Sequence, residues 1–144
     1  MVIAIDPDVN KSGVAVLDCG KLSLYSLRFF ELFDLLKFYV PGHVSMIYIE
    51  AGWLNEKSNF RVMKGSGVNA RIGAKVGANH ETGKKIVEMC VYLGIPFTEV
   101  KPLKKIWKGP DGKITHEEFN KQAKTIFKKT NQEERDAGLI LITR

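Results

Sequence analysis

Cysteine is nearly absent from this chain: of 144 residues only Cys19 and Cys90 are cysteines, far apart and without any CxxC spacing. Neither a disulfide framework nor a cysteine-ligated zinc site is expected, and the chain reads as reduced and cytoplasmic. No stretch approaches the ~18 consecutive apolar residues of a spanning helix, and the chain opens on a strand-like run rather than a signal peptide. A soluble protein with no membrane partner is expected. Histidine is also scarce: His43, His80 and His116 show no i, i+4 spacing and read as ordinary surface or core residues, not ligands. Internal repeats, low-complexity tracts and linkers are lacking, so residues 1–144 read as one α/β domain with a single core. Acid is outnumbered, with 16 Asp plus Glu against 22 Lys plus Arg and a net charge of +6. Such an excess suits a polyanionic partner such as nucleic acid, although many soluble domains are mildly basic.

What the chain does have is a short strand pattern followed by alternating helices and strands. Residues 2–6, 12–18 and 21–27 carry β-branched or alternating apolar residues, with turn signals at Asn10-Lys11 and Cys19-Gly20, which predicts an antiparallel meander. Phe29, Leu32, Phe33, Leu36 and Val40 recur at helical spacing and predict an amphipathic helix that stops before Pro41-Gly42. Met46-Ile47-Tyr48-Ile49 is a continuous apolar run, as expected of a central strand covered on both faces, and it ends in Glu50. Residues 82–93 predict a helix with Ile86, Val87, Cys90, Val91 and Leu93 on its apolar side, starting as early as Gly67.

A short strand follows over 94–100, with Pro96 marking an edge or a strand start, and then a basic loop over 101–113. Thr115 and Glu118 form a capping-box pair for a helix whose buried stripe is Phe119, Ala123, Ile126 and Phe127. Thr130 or Asn131 caps a last helix with Glu133, Glu134 and Asp136 in its first turns.

Asp6 closes the first strand and Glu50 closes the fourth. A carboxylate at the end of a buried strand is costly unless it has a partner. If the fourth strand returns by a helical crossover to lie beside the first, the two acids stand at the ~4.8 Å strand spacing and repel each other unless a cation neutralises them. Glu133 and Asp136 are three residues apart on the last helix and share the face that continues into Ala137 and Ile140. Acids also favour helix N-termini for dipole reasons, so each alone is ambiguous. Together with Asp6 and Glu50 they form an oxygen donor set suited to Mg²⁺ or Mn²⁺ and to two-metal phosphodiester hydrolysis.

Ile3-Ala4-Ile5-Asp6-Pro7, Ser12-Gly13-Val14-Ala15-Val16, Ile47-Tyr48-Ile49-Glu50 and Glu133-Glu134-Arg135-Asp136-Ala137 together resemble the RuvC-type crossover junction endonucleases over most of the chain. The resemblance implies a ribonuclease-H-like α/β fold with a mixed five-stranded sheet, three strands antiparallel and two parallel, flanked by helices. It implies a homodimer that cuts four-way (Holliday) DNA junctions in recombination and repair, with two Mg²⁺ per active site, Mn²⁺ substituting. Asp6, Glu50, Glu133 and Asp136 would be the metal-binding catalytic set, with Asp6 bridging the ions, Glu50 holding one and Glu133 with Asp136 the other. The dimer interface would be the long helix around residues 73–93.

Three positions depart from the family pattern. Asp8 replaces a small glycine after the Asp-Pro pair, either adding charge or facing solvent. Glu133 stands where Asp is common, and Glu134 is the other candidate for the third acid. His116-Glu117-Glu118 occupies the place of a basic residue, leaving Lys113 or Lys121 as its replacement.

No acid occurs between Glu56 and Glu81, whereas Lys57, Arg61, Lys64, Arg71 and Lys75 do, beside Gly65, Gly67 and Gly73. This stretch reads as a DNA phosphate-contacting surface or as solvated charge. Lys104, Lys105 and Lys108, with Lys101, form a second basic cluster around Trp107. Trp53, Phe60 and Trp107 either pack structurally or stack on unpaired bases. Rival readings are another nuclease of the same fold, acting on RNA–DNA hybrids or flaps, and a noncatalytic DNA-binding domain. An actin-like or sugar-kinase domain is not expected, since Asp8-Val9-Asn10 stands where a Gly-rich phosphate turn is needed.

Overall fold

The computed structural model describes residues 1–39, 42–55 and 66–144. Strand β1 (Val2–Asp6) pairs antiparallel with β2 (Ser12–Asp18), which pairs antiparallel with β3 (Lys21–Leu27). The β2–β3 hairpin closes on Cys19 and Gly20, both at positive φ (46° and 79°), which matches the right-handed twist of the flanking strands. Helix α1 (Phe29–Tyr39) carries the chain to β4 (Met46–Glu50), which lies parallel to β1. Helix α2 (Ser66–Leu93) leads to β5 (Phe97–Val100), parallel to β4, and helices α3 (His116–Ala123) and α4 (Gln132–Ile142) end the fold. The sheet order is β3-β2-β1-β4-β5, so the first and fourth strands are neighbours.

Alternation along the central strands supplies two cores. Ile3, Ile5, Val14, Val16, Ile47 and Ile49 point to one face, where Leu32 and Leu36 of α1 and Ile86, Met89 and Cys90 of α2 cover them. Ala4 and Ala15 point to the other face and meet Ala137, Ile140 and Leu141 of α4. Small residues on both sides of that contact let α4 lie close to the sheet. Phe119 of α3 then backs α4 through Leu139 and Ile114. No helix among the described residues is long and apolar enough to cross a membrane.

Several local expectations shift. The fifth strand begins at Phe97 rather than near 94; Pro96 stands just before it and offers its carbonyl to Ile47 N–H at 2.9 Å. The buried side of α2 runs through Gly83, Ile86, Met89 and Cys90, which turns Val91 out to 65% exposure. Helix α3 stops at Ala123, with Lys124 left-handed at φ 52°, and Ile126 is 95% exposed instead of buried. The cause is Asn120, whose side chain binds both the N–H (3.1 Å) and the carbonyl (2.9 Å) of Phe127 and so folds the chain back after the eight residues of the helix. Val40, the last residue of the expected α1 stripe, lies outside the described residues.

Candidate active site

The parallel pairing of β1 and β4 runs up to Ile5 opposite Ile49, and Asp6 and Glu50 follow one residue later. Both acids therefore leave the sheet from adjacent strand ends. Asp6 is also paired across the sheet with Gly13 of β2. A Cβ at Gly13 would run into the Glu133 carbonyl, so only glycine there lets the first turn of α4 rest on the end of β2 beside Asp6. This backbone contact brings the helix acids to the strand acids.

Capping decides which helix acid faces inward. Asn131 accepts the Glu134 N–H at 2.8 Å, and the Glu134 carboxylate accepts the Asn131 N–H at 2.8 Å. Glu134 is thus occupied by a reciprocal capping box. Glu133 and Asp136 instead line a cavity of about 250 Å³ together with Asp6 and Glu50, and Lys75, Lys105 and Lys113 share its wall.

Electrostatics in the cavity follow from burial and like charge. Burial, followed by repulsion from Glu50 and Asp136, holds the Asp6 carboxyl well above the usual carboxylate range. Burial and then Asp136 push Glu50 up to about 7, against the opposing pull of a hydrogen bond from the Leu103 N–H and of Lys105 and Lys113. Asp136 is raised by burial too, offset in part by Gln132 and Lys113.

Asp136 has its own supports. Gln132 Nε2 donates to one oxygen at 2.6 Å, and Lys113 Nζ lies 3.6 Å from the other. Gln132 is fixed in turn by Arg135, whose guanidinium also binds the carbonyls of Thr130 (2.7 Å) and Ile114 (3.1 Å). Among the described residues no three His, Cys, Asp or Glu side chains converge into a closed metal-ligating group. The acids line one cavity without forming the tight cage that their spacing suggests. Their charges repel, and Lys113 and Gln132 each engage an oxygen of Asp136.

The expected cations divide. Lys75 and Lys105 line the acid cavity, Lys104 lines a neighbouring one, and Arg71 and Lys108 line neither. Lys57, Arg61 and Lys64, with Phe60, lie outside the described residues. Lys113, not Lys121, reaches the acids. Asp8 lines the acid cavity too and adds a carboxylate to it: it accepts Asn79 Nδ2 at 3.2 Å and lies 3.9 Å from Lys75, while Asn79 Oδ1 accepts the Val9 N–H at 3.0 Å. That clasp ties the β1–β2 loop to α2. Asn79 and Gln132 escaped sequence reasoning. Gln132 does carry a signal, four residues before Asp136 and hence on the same helix face. Trp53 packs, with its indole donating to Glu99 at 3.0 Å and its ring against Gly83.

No protein-family model matches this chain, and no curated protein sequence does. Solved structures do. The T. thermophilus RuvC in complex with Holliday junction substrate aligns with a TM-score of 0.55 at 12% identity, over 99% of this chain and 92% of that one. The Thermus thermophilus RuvC structure aligns at 0.47 with 15% identity, over 99% and 91% of the two chains. YeaZ from Pseudomonas aeruginosa gives 0.35 at 18% identity, over 71% and 45%. The mixed sheet of three antiparallel and two parallel strands flanked by helices is the ribonuclease-H-like fold of RuvC.

Proposed function

We propose that this protein is a metal-dependent endonuclease that cleaves branched DNA, with the four-way junction as its substrate. The observation that carries the reading is the meeting of Asp6, Glu50, Glu133 and Asp136, from two strands and a helix, in one cavity rimmed by lysines. Three of these acids are held above their ordinary range by burial and, in part, by one another, so the site favours positive charge. A carboxylate donor set with no thiol or imidazole in the cavity wall among the described residues fits a hard divalent ion, Mg²⁺ or Mn²⁺. Asp6, Glu50, Glu133 and Asp136 would hold a pair of such ions. When bound, they supply a water of lowered pKa and positive charge against the oxygen that leaves.

The protein's own groups do the rest. Lys75, Lys105 and Lys113 attract the phosphate that the acids alone would repel. Gln132, braced by Arg135, holds the Asp136 carboxylate in one orientation, and the Asp8–Asn79 clasp fixes the loop that follows Asp6. Two symmetric cuts in a junction call for two sites, which a homodimer provides. The apolar row Val68, Ile72 and Val76, exposed on α2 at four-residue spacing, supports a self-association surface on that helix.

The test is strand-resolved cleavage of junction, flap, RNA–DNA hybrid and plain duplex with Mg²⁺, Mn²⁺ or chelator. Metal-dependent junction cleavage, abolished by Asp6→Asn, is expected. Preference for hybrid or flap would reassign the substrate; retention of junction cleavage by Asp6→Asn would overturn the mechanism.

A further inference from the structure

A second cavity adjoins the acid site and shares Glu50, Lys105, Lys113 and Asp136 with it. Past that shared wall its character changes, because Leu103, Trp107 and Ile114 supply an apolar side with Lys104 at the rim. It is a shallow cleft with room of about 60 Å³, so a planar group lies against it instead of being swallowed.

The wall is built, not incidental. Trp107 N–H donates to the Gly112 carbonyl at 2.9 Å and Gly109 N–H to the Lys113 carbonyl at 2.9 Å, closing the loop back on itself. Glu118, which caps α3 at Thr115, also accepts the Lys108 N–H at 3.3 Å. Trp107 packs at the edge of the Ile114, Phe119 and Leu139 cluster. An aromatic surface held in place before a ligand arrives loses little freedom on binding.

We propose that this cleft is a nucleobase subsite, in which the base of a nucleotide flanking the scissile phosphate stacks on Trp107 while Lys104 and Lys105 hold the backbone. The proposal rests on the phosphodiesterase reading of the acid cavity. A base and its phosphate hang from one sugar, so a phosphate at the acids delivers an attached base to the adjoining cleft. An aromatic platform beside lysines is the arrangement that binds single-stranded nucleic acid with little sequence preference. The base must leave its own stack to reach Trp107, which favours unpaired or weakly paired positions near a branch over regular duplex.

The probe is a short single-stranded DNA, compared with a backbone of the same length in which every site is abasic, both titrated with chelator present and followed by tryptophan fluorescence and, for affinity, by the anisotropy of a dye on the strand. The intact strand should quench the signal and bind at least about fivefold more tightly than the abasic one. Trp107→Phe should remove the quench yet keep most of the preference, and Trp107→Ala should lose the preference without weakening the abasic strand. Equal affinity of the unaltered protein for both strands overturns the subsite whether or not Trp107→Ala folds. Cleavage is scored apart: quenching and base preference without Mg²⁺-dependent cutting leave the subsite standing and remove the nuclease reading. Cutting that is indifferent to an abasic site beside the scissile phosphate does the reverse.

Discussion

Replacing Glu50 with glutamine should make the metal-free protein more stable above neutral pH. Glu50 is raised from 4.5 to about 7 by burial and by Asp136. The folded state therefore holds a proton that the unfolded chain releases between those values, so stability falls as pH rises through that window. Complete ionisation by about pH 8 corresponds to a loss on the order of 3 kcal/mol, from the shift at ~1.4 kcal/mol per unit. Glutamine has nothing to ionise, and its carbonyl oxygen can still accept the Leu103 N–H that now bonds the carboxylate. Removing the charge also relieves Asp6, whose carboxyl Glu50 helps to raise.

Denaturant unfolding of both proteins in chelator, at pH 5 and pH 8, measures the effect. The Glu50→Gln protein should gain little at pH 5 and about 3 kcal/mol at pH 8, or roughly 10 °C in Tm for a chain of this size. Mg²⁺ should stabilise the parent protein more at pH 8 than at pH 5, because it replaces the missing counter-charge, and should stabilise the variant far less. A difference between the two proteins that is the same at both pH values would refute the assignment of a buried, repelled carboxylate to this strand end.

Gly13→Ala should cost about 1–3 kcal/mol in the same unfolding assay, because the new methyl group meets the Glu133 backbone, and it should lower cleavage by shifting the helix acids. A neutral effect on both would show that the approach of α4 to β2 is not tight. The two neighbouring glutamates should separate cleanly. Glu134→Ala should lose about 1 kcal/mol of stability with the capping box and keep Mg²⁺-dependent cleavage, whereas Glu133→Ala should keep stability and lose cleavage. Matched cleavage and unfolding curves for the pair check both halves.

The main elements around the sheet were legible in the sequence because each carries a clear apolar pattern. The short apolar runs of β1 and β2 and the run Ile47-Tyr48-Ile49 mark the strands, and Leu32 and Leu36 mark the buried side of α1. The first half of α2 was legible only as an outer limit at Gly67, one residue from the observed start at Ser66, since residues 67–82 include none that is buried and so impose no pattern facing a core. The end of α3 was missed for a related reason. Ile126 keeps helical spacing with Phe119 and Ala123, yet Asn120 captures the Phe127 backbone and ends the helix first.

By itself the sequence determined which acids end β1 and β4 and which sit in the first turns of α4, because these positions follow from local pattern and capping. That β1 and β4 are neighbours was conditional on the crossover, and the sheet order decided it. The approach of α4 over Gly13 and the arrival of Lys113 beside Asp136 were decided only by tertiary structure, whereas the choice between Glu133 and Glu134 follows from the local Asn131–Glu134 capping box. Side-chain direction at a helix start depends on which groups the cap engages, and the distance between remote elements depends on packing between them. The first quantity is local and can be read from the spacing of cap residues; the second is not written in local spacing at all.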